Sequence, residues 1–430
     1  MSIINKIINK MKEQYKLVWL FYKIKYSEYL SKDKLENQKL LKLKRILKIA
    51  VETVPYYLNL KEKIDFDNFT IAELQKFPII NKNIMRSNPE LFKSTKYKKK
   101  GIIQHTSGSS GLPFEFLSYP DNEIIDQAFA MRAWGMGNYN YKIKDPIIML
   151  RSYAPKDCEQ LYKIDKINNF WYLSAYHINN SNLQKYVETI KQSKAKILRG
   201  YPSSIYIFTQ LLKENNIKLD QIKTIVTSSE TLLQKYREEI ENYWKIKVLD
   251  WYGQNEKTVT VQQCKFGNYH NNDEYGIVEI NSENHIIATS LNNYVMPFIR
   301  YDTEDIAIPC SSFEKCDCGR KLSVPFLGIS GRSDDILFKN DGTKIPTINI
   351  YTAMHSFEKI KQFKITQQED KSLAVQLCFN QKIAADYLED IKKELIKRTG
   401  DLIIKFELVS EIKRDKSTGK IKTIESKIKK

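Results

Sequence analysis

The chain has 430 residues, 42% hydrophobic and 12% aromatic, with a formal charge of +18. That length suits two or three domains, and the apolar content is enough for a large core, which excludes global disorder. No run of about 18 uncharged apolar residues occurs, so no transmembrane helix is expected.

The opening MSIINKIINKMKEQYK has lysines among its apolar residues, and no small-residue cleavage site follows. It does not read as a signal peptide, so a cytoplasmic location is expected. The lysines are spread along the whole chain, so the charge reads first as a solvated surface. Affinity for a polyanion (nucleotide, nucleic acid or anionic lipid) is the sharper alternative. There are six cysteines, Cys158, Cys264, Cys310, Cys316, Cys318 and Cys378. Without export, disulfides are not expected, and the clustered ones point to metal.

Residues 1–60 read as helical. Ile4, Ile8, Met11, Tyr15, Val18 and Tyr22 form an apolar stripe at helical spacing. The stripe is expected to pack on the main body. Lys6, Lys10 and Lys16 on the polar face leave a membrane-surface helix as the alternative. From about Gly101 to Glu256, β-rich runs (DPIIML, AKILRG, IKTIVTSS, IKVLDWYG) alternate with helical ones (LQKYVETIKQS, SSIYIFTQLLKENN, TLLQKYREEIENYW). That alternation predicts an α/β sheet with parallel strands. Residues 274–310 read as short antiparallel strands (YGIVEI, HIIATS, FIRYDT). The stretch from about 333 to 430 reads as a small α+β unit with strands near KITQQ, LAVQLCF and IIKFELV and a helix at AADYLEDIKKELIKRTG.

Six short stretches carry candidate chemistry. In IIQHTSGSSGLPFEF, the turn Thr106–Gly111 offers successive backbone N–H groups, hydroxyls and glycines that let the chain approach an anion. It is no Walker loop, because no Gly-Lys-Ser/Thr follows. TIVTSSETLL runs a strand into Ser228-Ser229-Glu230, with a helix expected near Thr231. Carboxyl ends of parallel strands are where ligands sit in such sheets. VLDWYGQNE delivers Tyr252, able to stack on a base, and Glu256, able to hold Mg²⁺. In FIRYDTEDIA, Asp305 is placed to accept ribose hydroxyls, and Arg300 with Asp302 reads as a possible ion pair. ISGRSDDILFKNDGTKI carries Arg332, Asp334 and Asp335 at a predicted domain boundary. KRDKSTGKIKTI places Lys420 in a loop after Thr418-Gly419.

Taken one by one, each stretch also has a bland reading as a turn, a cap or a surface charge. Together and in this order, TSGSSG, SSE, YGxxE, RYDTED, GRxDD and a terminal TGK resemble the adenylate-forming (acyl-CoA synthetase and ligase) superfamily. The similarity leans to the phenylacetate–CoA ligase branch with its capsule-biosynthesis relatives of CapK type, helped by LRGYPSSIYIFTQLL and the cysteine-rich segment before GRSDD. It spans about residues 70–425. It implies a large N-terminal domain with mixed sheets (residues 1–332, with 1–70 a helical leader) and a small mobile α+β C-terminal domain (333–430). ATP would bind between them.

Position by position, the resemblance implies a phosphate loop at Thr106, Ser107, Gly108, Ser109, Ser110 and Gly111, with Thr106 also catalytic. It implies an adenine-side turn at Ser229 and Glu230, an adenine-stacking aromatic at Tyr252 beside Gly253, and a Mg²⁺ carboxylate at Glu256. It gives ribose contacts to Asp305 and Arg332, the hinge to Asp334, and the adenylation lysine to Lys420. The implied activity is ATP-dependent, AMP-forming activation of a carboxylic acid, then transfer to the thiol of CoA. An amine acceptor, as in surface-polysaccharide synthesis, or a carrier-protein thiol is the alternative; a basic nucleic-acid or membrane-binding protein is the non-enzyme reading. No nucleic-acid partner is expected. Ser110 stands where threonine is commoner, and RYDTED replaces the usual RYRTGD-type text.

Cys264, His270, Cys316 and Cys318 are the expected Zn²⁺ ligands, with Cys310 as substitute. Some members of the branch carry a structural zinc on similar residues. Trp134, Tyr176, His177, Tyr201 and Pro202 are candidate acyl-pocket residues, and plain core is their alternative.

Overall fold

The computed structural model describes residues 3–105, 114–151, 153, 160–310, 315–332, 337–342, 344–345, 350, 353–354, 356–413 and 421–428. Two long helices open the chain, α1 (Ile3–Ser27) and α2 (Lys32–Thr53), and a short α3 (Lys82–Ser87) follows. A hairpin of β1 (Ile102–His105) and β2 (Glu115–Ser118) leads into α4 (Asn122–Trp134).

The central layer comes next. Its elements are β3 (Ile147–Arg151), β4 (Tyr162–Asp165), β5 (Phe170–Ser174), α5 (Asn180–Ser193), β6 (Ile197–Gly200), α6 (Pro202–Glu214), β7 (Thr224–Ser228), α7 (Gln234–Trp244), β8 (Val248–Gly253), β9 (Thr260–Gln263) and β10 (Tyr269–Asn271). They form an eight-stranded sheet ordered β10-β9-β8-β7-β6-β3-β5-β4. Strands β5, β3, β6, β7 and β8 are parallel, as the alternating text predicts, while β4 at one end and β9 and β10 at the other join antiparallel. The parallel strands read IIML, ILRG and TIVT because both faces are covered. Ile148, Leu150, Leu198 and Ile225 pack against α5, α6 and α7. Ile147, Met149, Ile197, Val226 and Leu249 pack against α1 and α4.

Strands β11 (Gly276–Ile280), β12 (His285–Ser290), β13 (Tyr301–Pro309) and β14 (Phe326–Arg332) form an antiparallel sheet in that order. Arg300 pairs with Glu279 at 3.2 Å and donates to the Phe77 carbonyl, whereas Asp302 accepts from His285 at 3.0 Å. The Arg300–Asp302 pair is therefore not formed. Arg300 has a left-handed φ of 47° that turns it out of the strand.

The C-terminal unit begins with the hairpin β15 (Leu337–Phe338) and β16 (Lys344–Ile345). It continues with β17 (Ile360–Gln367), β18 (Leu373–Phe379), α8 (Ala385–Thr399), β19 (Ile404–Leu408) and β20 (Ile424–Ser426). Its four-stranded sheet is ordered β19-β18-β17-β20. The three expected strands and the helix are all present. Ile360 and Phe363 share one core with Leu233 and Tyr236 beside α7, and Lys235 donates to the Ile360 carbonyl, so this unit docks on α7.

Two local expectations fail. The α1 stripe faces the other way: Met11, Tyr15 and Tyr22 are 68%, 75% and 54% exposed, while Leu17, Phe21 and Ile24 are the buried face. Helix α7 starts at Gln234 rather than near Thr231, because Ser229 takes a left-handed φ of 72° and Leu233 is extended.

Candidate active site and metal centre

Ser229 and Glu230 follow β7, Tyr252 and Gly253 close its parallel neighbour β8, and Asp305 lies in the middle of β13 rather than at a strand end. Ser229 leaves β7 in a conformation that non-glycine residues adopt rarely. Its hydroxyl accepts from Arg151 Nη2 at 3.0 Å. Glu230 bridges two units: Oε2 accepts from the Ser203 N–H at the start of α6 at 3.1 Å, and Oε1 accepts from the Ile421 N–H at 2.8 Å. Ile421 directly follows Lys420 in sequence, so the C-terminal chain at Ile421 meets the turn after β7.

Tyr252 and Asp305 sit together. The Tyr252 hydroxyl donates to Asp305 Oδ2 at 2.7 Å, and Gln254 Nε2 donates to that hydroxyl at 2.5 Å. Burial, then the Asp305 charge, pushes the phenol far above its ordinary value, so Tyr252 stays neutral. Its ring stands edge-on to Phe326 at 6.0 Å.

Glu256 is buried, and its Oε1 accepts from the Tyr301 hydroxyl at 3.0 Å with Lys82 Nζ 3.9 Å away. Oε2 has no donor among the described residues. A buried carboxylate with one oxygen held and one open suits a hard cation, so the fit to Mg²⁺ holds. Lys82 and Tyr301 were not picked out from the sequence. Neither lies in a recognisable turn, and only the closing of β13 against the segment before α3, where the Ile80 N–H donates to the Arg300 carbonyl, brings them to Glu256.

Thr106–Gly111, Asp334 and Lys420 lie outside the described residues, and of Arg332 only the backbone in β14, opposite Asp305, is described. The β1–β2 hairpin that frames Thr106–Gly111 pairs His105 with Glu115.

The expected acyl-pocket residues divide. Pro202 is the first residue of α6, a position that suits its missing N–H, and Tyr201 precedes it as the cap. His177 folds back on Ser174, 2.8 Å from its hydroxyl. Trp134 is fully buried at the end of α4, in core packing with Tyr141 and Phe170. What the sequence reading missed on this side is two arginines. The Arg151 guanidinium carbon lies 5.3 Å from the Tyr201 ring, and that of Arg199 lies 4.7 Å from the Trp251 ring. Burial, reinforced by Arg151, pushes Arg199 down to about 9, the mark of a poorly solvated cation. The signal was present: Arg199 is the one charge inside the short strand text ILRG.

The metal expectation gathers as one cluster. Ligand atoms of Cys264, His270, Cys316 and Cys318 all lie within 4.8 Å of one another. Cys264 Sγ is 3.6 Å from Cys316 Sγ, and Cys318 Sγ is 3.4 Å from His270 Nε2. A tetrahedral zinc with bonds of about 2.3 Å to sulfur has edges of about 3.8 Å, so the spacing fits. His270 Nδ1 faces the Leu322 carbonyl at 3.4 Å, which leaves Nε2 for metal. The cluster does not include Cys310. The hydrogen bond with Cys264, together with His270, draws Cys318 toward thiolate and leaves Cys264 raised.

Comparison with known proteins places this geometry in a family context. Residues 337–427 match the family described as the CapK C-terminal domain. Protein CapK of Staphylococcus aureus is 24% identical over 369 residues, spanning 82% of this chain and 80% of that one. A crystal structure of 2-hydroxyisobutyryl-CoA ligase in the postadenylation state, in complex with R3-HIB-AMP, overlays with a TM-score of 0.69 at 16% identity, over 94% of this chain and 91% of that one. The open conformation of that ligase, with 2-HIB-AMP and CoA, overlays at 0.57 and 16% identity, over 92% of each chain. The chain is thus similar to protein CapK over most of its length, matches the CapK C-terminal domain at 337–427, and shares the fold of the adenylate-forming CoA ligases.

Proposed function

We propose that the protein activates a carboxylic acid with ATP, forming an acyl-adenylate and pyrophosphate. The observation that carries this is the placement of Ser229–Glu230 and of Tyr252, with Glu256 just beyond, at the carboxyl ends of the adjoining parallel strands β7 and β8, with Asp305 of β13 on the Tyr252 hydroxyl and the Ile421 N–H on Glu230. In this reading an oxygen of the acid attacks the α-phosphorus and the bond to pyrophosphate breaks. Thr106–Gly111 cradles the β- and γ-phosphates, Asp305 and Arg332 take the ribose hydroxyls, and Lys420 stabilises charge building on the phosphoryl oxygens. Tyr301 and Lys82 hold Glu256, which would bind Mg²⁺; that ion would neutralise phosphate charge. Cys264, His270, Cys316 and Cys318 would hold Zn²⁺ as a clip between the β9–β10 hairpin and the segment before β14. The 333–430 unit then turns about Asp334, and the thiol of CoA displaces AMP; an amine acceptor is the alternative.

The test is product analysis with an acid panel and ATP. AMP and pyrophosphate, formed only when acid is present, support the reading; ADP and phosphate contradict it. Thioester with CoA, or amide with an amine, then fixes the acceptor.

A second reading concerns location. Helix α1 turns Met11, Tyr15, Trp19, Tyr22 and Tyr26 outward beside the exposed Lys10, Lys12 and Lys23. Tyrosine, tryptophan and lysine on one face suit an anionic lipid surface. Co-sedimentation with phosphatidylglycerol vesicles, absent with phosphatidylcholine and lost in a Tyr15→Ser/Trp19→Ser/Tyr22→Ser variant, is the expected result. Equal recovery with both lipids contradicts it.

A further inference from the structure

Among the described residues Arg199 forms no ion pair. It sits in mid-sheet on β6, opposite Met149 of β3 and Val226 of β7. Strand alternation turns Leu198 into the α5–α7 core and Arg199 to the opposite face, where α4 packs. Its guanidinium carbon lies 4.7 Å from the Trp251 ring and 5.7 Å from the Trp134 ring. Those rings ease the burial of the charge, but they accept none of its N–H groups in a conventional hydrogen bond. Among the described residues Arg199 Nε is buried without an acceptor, and so are the indole N–H groups of Trp134 and Trp251. Three orphaned donors thus line one neighbourhood. Asp126 supplies opposite charge but forms no ion pair with Arg199; its carboxyl accepts instead from the Tyr275 hydroxyl at 3.1 Å. Burial, its largest influence, pushes the Asp126 carboxyl toward its neutral form.

Position indicates which molecule could bring an anion to these donors. Arg151, two residues beyond Met149 on β3 and paired with Ser174 of β5, donates to Ser229 and marks the rim. Arg199 lies about two strand residues deeper, roughly 7 Å below. An acid with its reacting carboxylate at the rim would extend its other end toward Arg199. A guanidinium does not shed its proton in proteins, so a neutral hydroxyl there would leave the charge uncompensated.

We propose that Arg199 binds a second carboxylate on the acid substrate, so that the enzyme selects short dicarboxylic acids over monocarboxylic acids of the same length. This rests on the adenylation reading. The Trp134 and Trp251 indole N–H groups are further donors near that carboxylate, which has about four acceptor positions.

The experiment is acid-dependent ATP–pyrophosphate exchange with matched pairs: succinate and butyrate, glutarate and valerate, adipate and hexanoate. The wild type is expected to prefer one dicarboxylate over its partner by about tenfold or more. Arg199→Met is expected to lower kcat/KM for that dicarboxylate about 10²-fold, leave the KM for ATP unchanged, and keep exchange with the monocarboxylate. Arg199→Lys should restore part of the preference. The melting temperature of Arg199→Met is expected to hold or rise, because a poorly compensated buried charge is gone; a merely structural arginine would lower it. Exchange that is best with an acid lacking a second carboxylate, or a preference that survives Arg199→Met, overturns this inference and leaves adenylation standing. No exchange with any acid overturns both.

Discussion

Glu256 illustrates how little of a site one motif contains. The carboxylate comes from YGQNE, but its orientation comes from the Tyr301 hydroxyl and the Lys82 ammonium. Removing an outer partner of a metal ligand typically weakens metal binding by about 10- to 100-fold. Tyr301→Phe is therefore expected to raise the Mg²⁺ concentration needed for half-maximal exchange by about tenfold, with little change in melting temperature. A titration of rate against Mg²⁺ reads this directly, and an unchanged midpoint counts against the role of Glu256. Sequence made the turn residues legible because Ser229, Gly253 and Glu256 sit at strand ends whose pattern is local. Lys82 and Tyr301 were not legible, because no local pattern links Asn81–Lys82 to a strand far along the chain.

Between elements, the densest polar knot ties α1 and α4 to the start of β11. Arg132 donates to the Ile24 carbonyl and pairs with Glu274 at 3.4 Å, and Ser27 donates to the same carboxylate. Burial alone would raise Glu274, but the Arg132 charge and the Ser27 hydroxyl outweigh it, and its pKa falls below the ordinary 4.5. A depressed carboxyl stabilises the fold above its unfolded value, and that stability is lost as pH falls through the folded value. Glu274→Gln leaves Arg132 uncompensated and is expected to cost about 3–5 kcal/mol at pH 7. The gap between wild type and variant should narrow below about pH 4.5; denaturant unfolding across pH measures it. A gap that widens in acid would contradict the pairing. The same helix marks the limit of periodicity: α1 carries two apolar stripes, and spacing alone does not say which one meets α4. The choice falls to Leu17, Phe21 and Ile24, which fill the space against α4, while tyrosines keep their hydroxyls in water.

The proposed zinc clip of Cys264, His270, Cys316 and Cys318 belongs to the element scale too. Metal analysis is expected to give about one zinc per chain, and strong chelation should lower the melting temperature. His270→Ala should abolish the stoichiometry. Zinc well below one equivalent in wild-type protein would contradict the site.

At the scale of the molecule, the C-terminal unit is held by the Glu230–Ile421 hydrogen bond and by packing of Ile360 and Phe363 beside α7. The alternation of strands and helices and the order of the motifs made this architecture legible in outline. The docking was not, since Lys235 and the Ile360 carbonyl become neighbours only once both units have folded. If the unit must turn about Asp334, then Asp334→Pro, which fixes φ, is expected to leave exchange intact while blocking transfer to the acceptor. Loss of both steps together would contradict a hinge.

Adenylation is read directly by carboxylate-dependent ATP–pyrophosphate exchange in wild type and in Lys420→Ala. Exchange with a carboxylic acid is expected in the wild type, with a loss of about 10²-fold or more in the variant. Exchange that is undiminished in Lys420→Ala would contradict it.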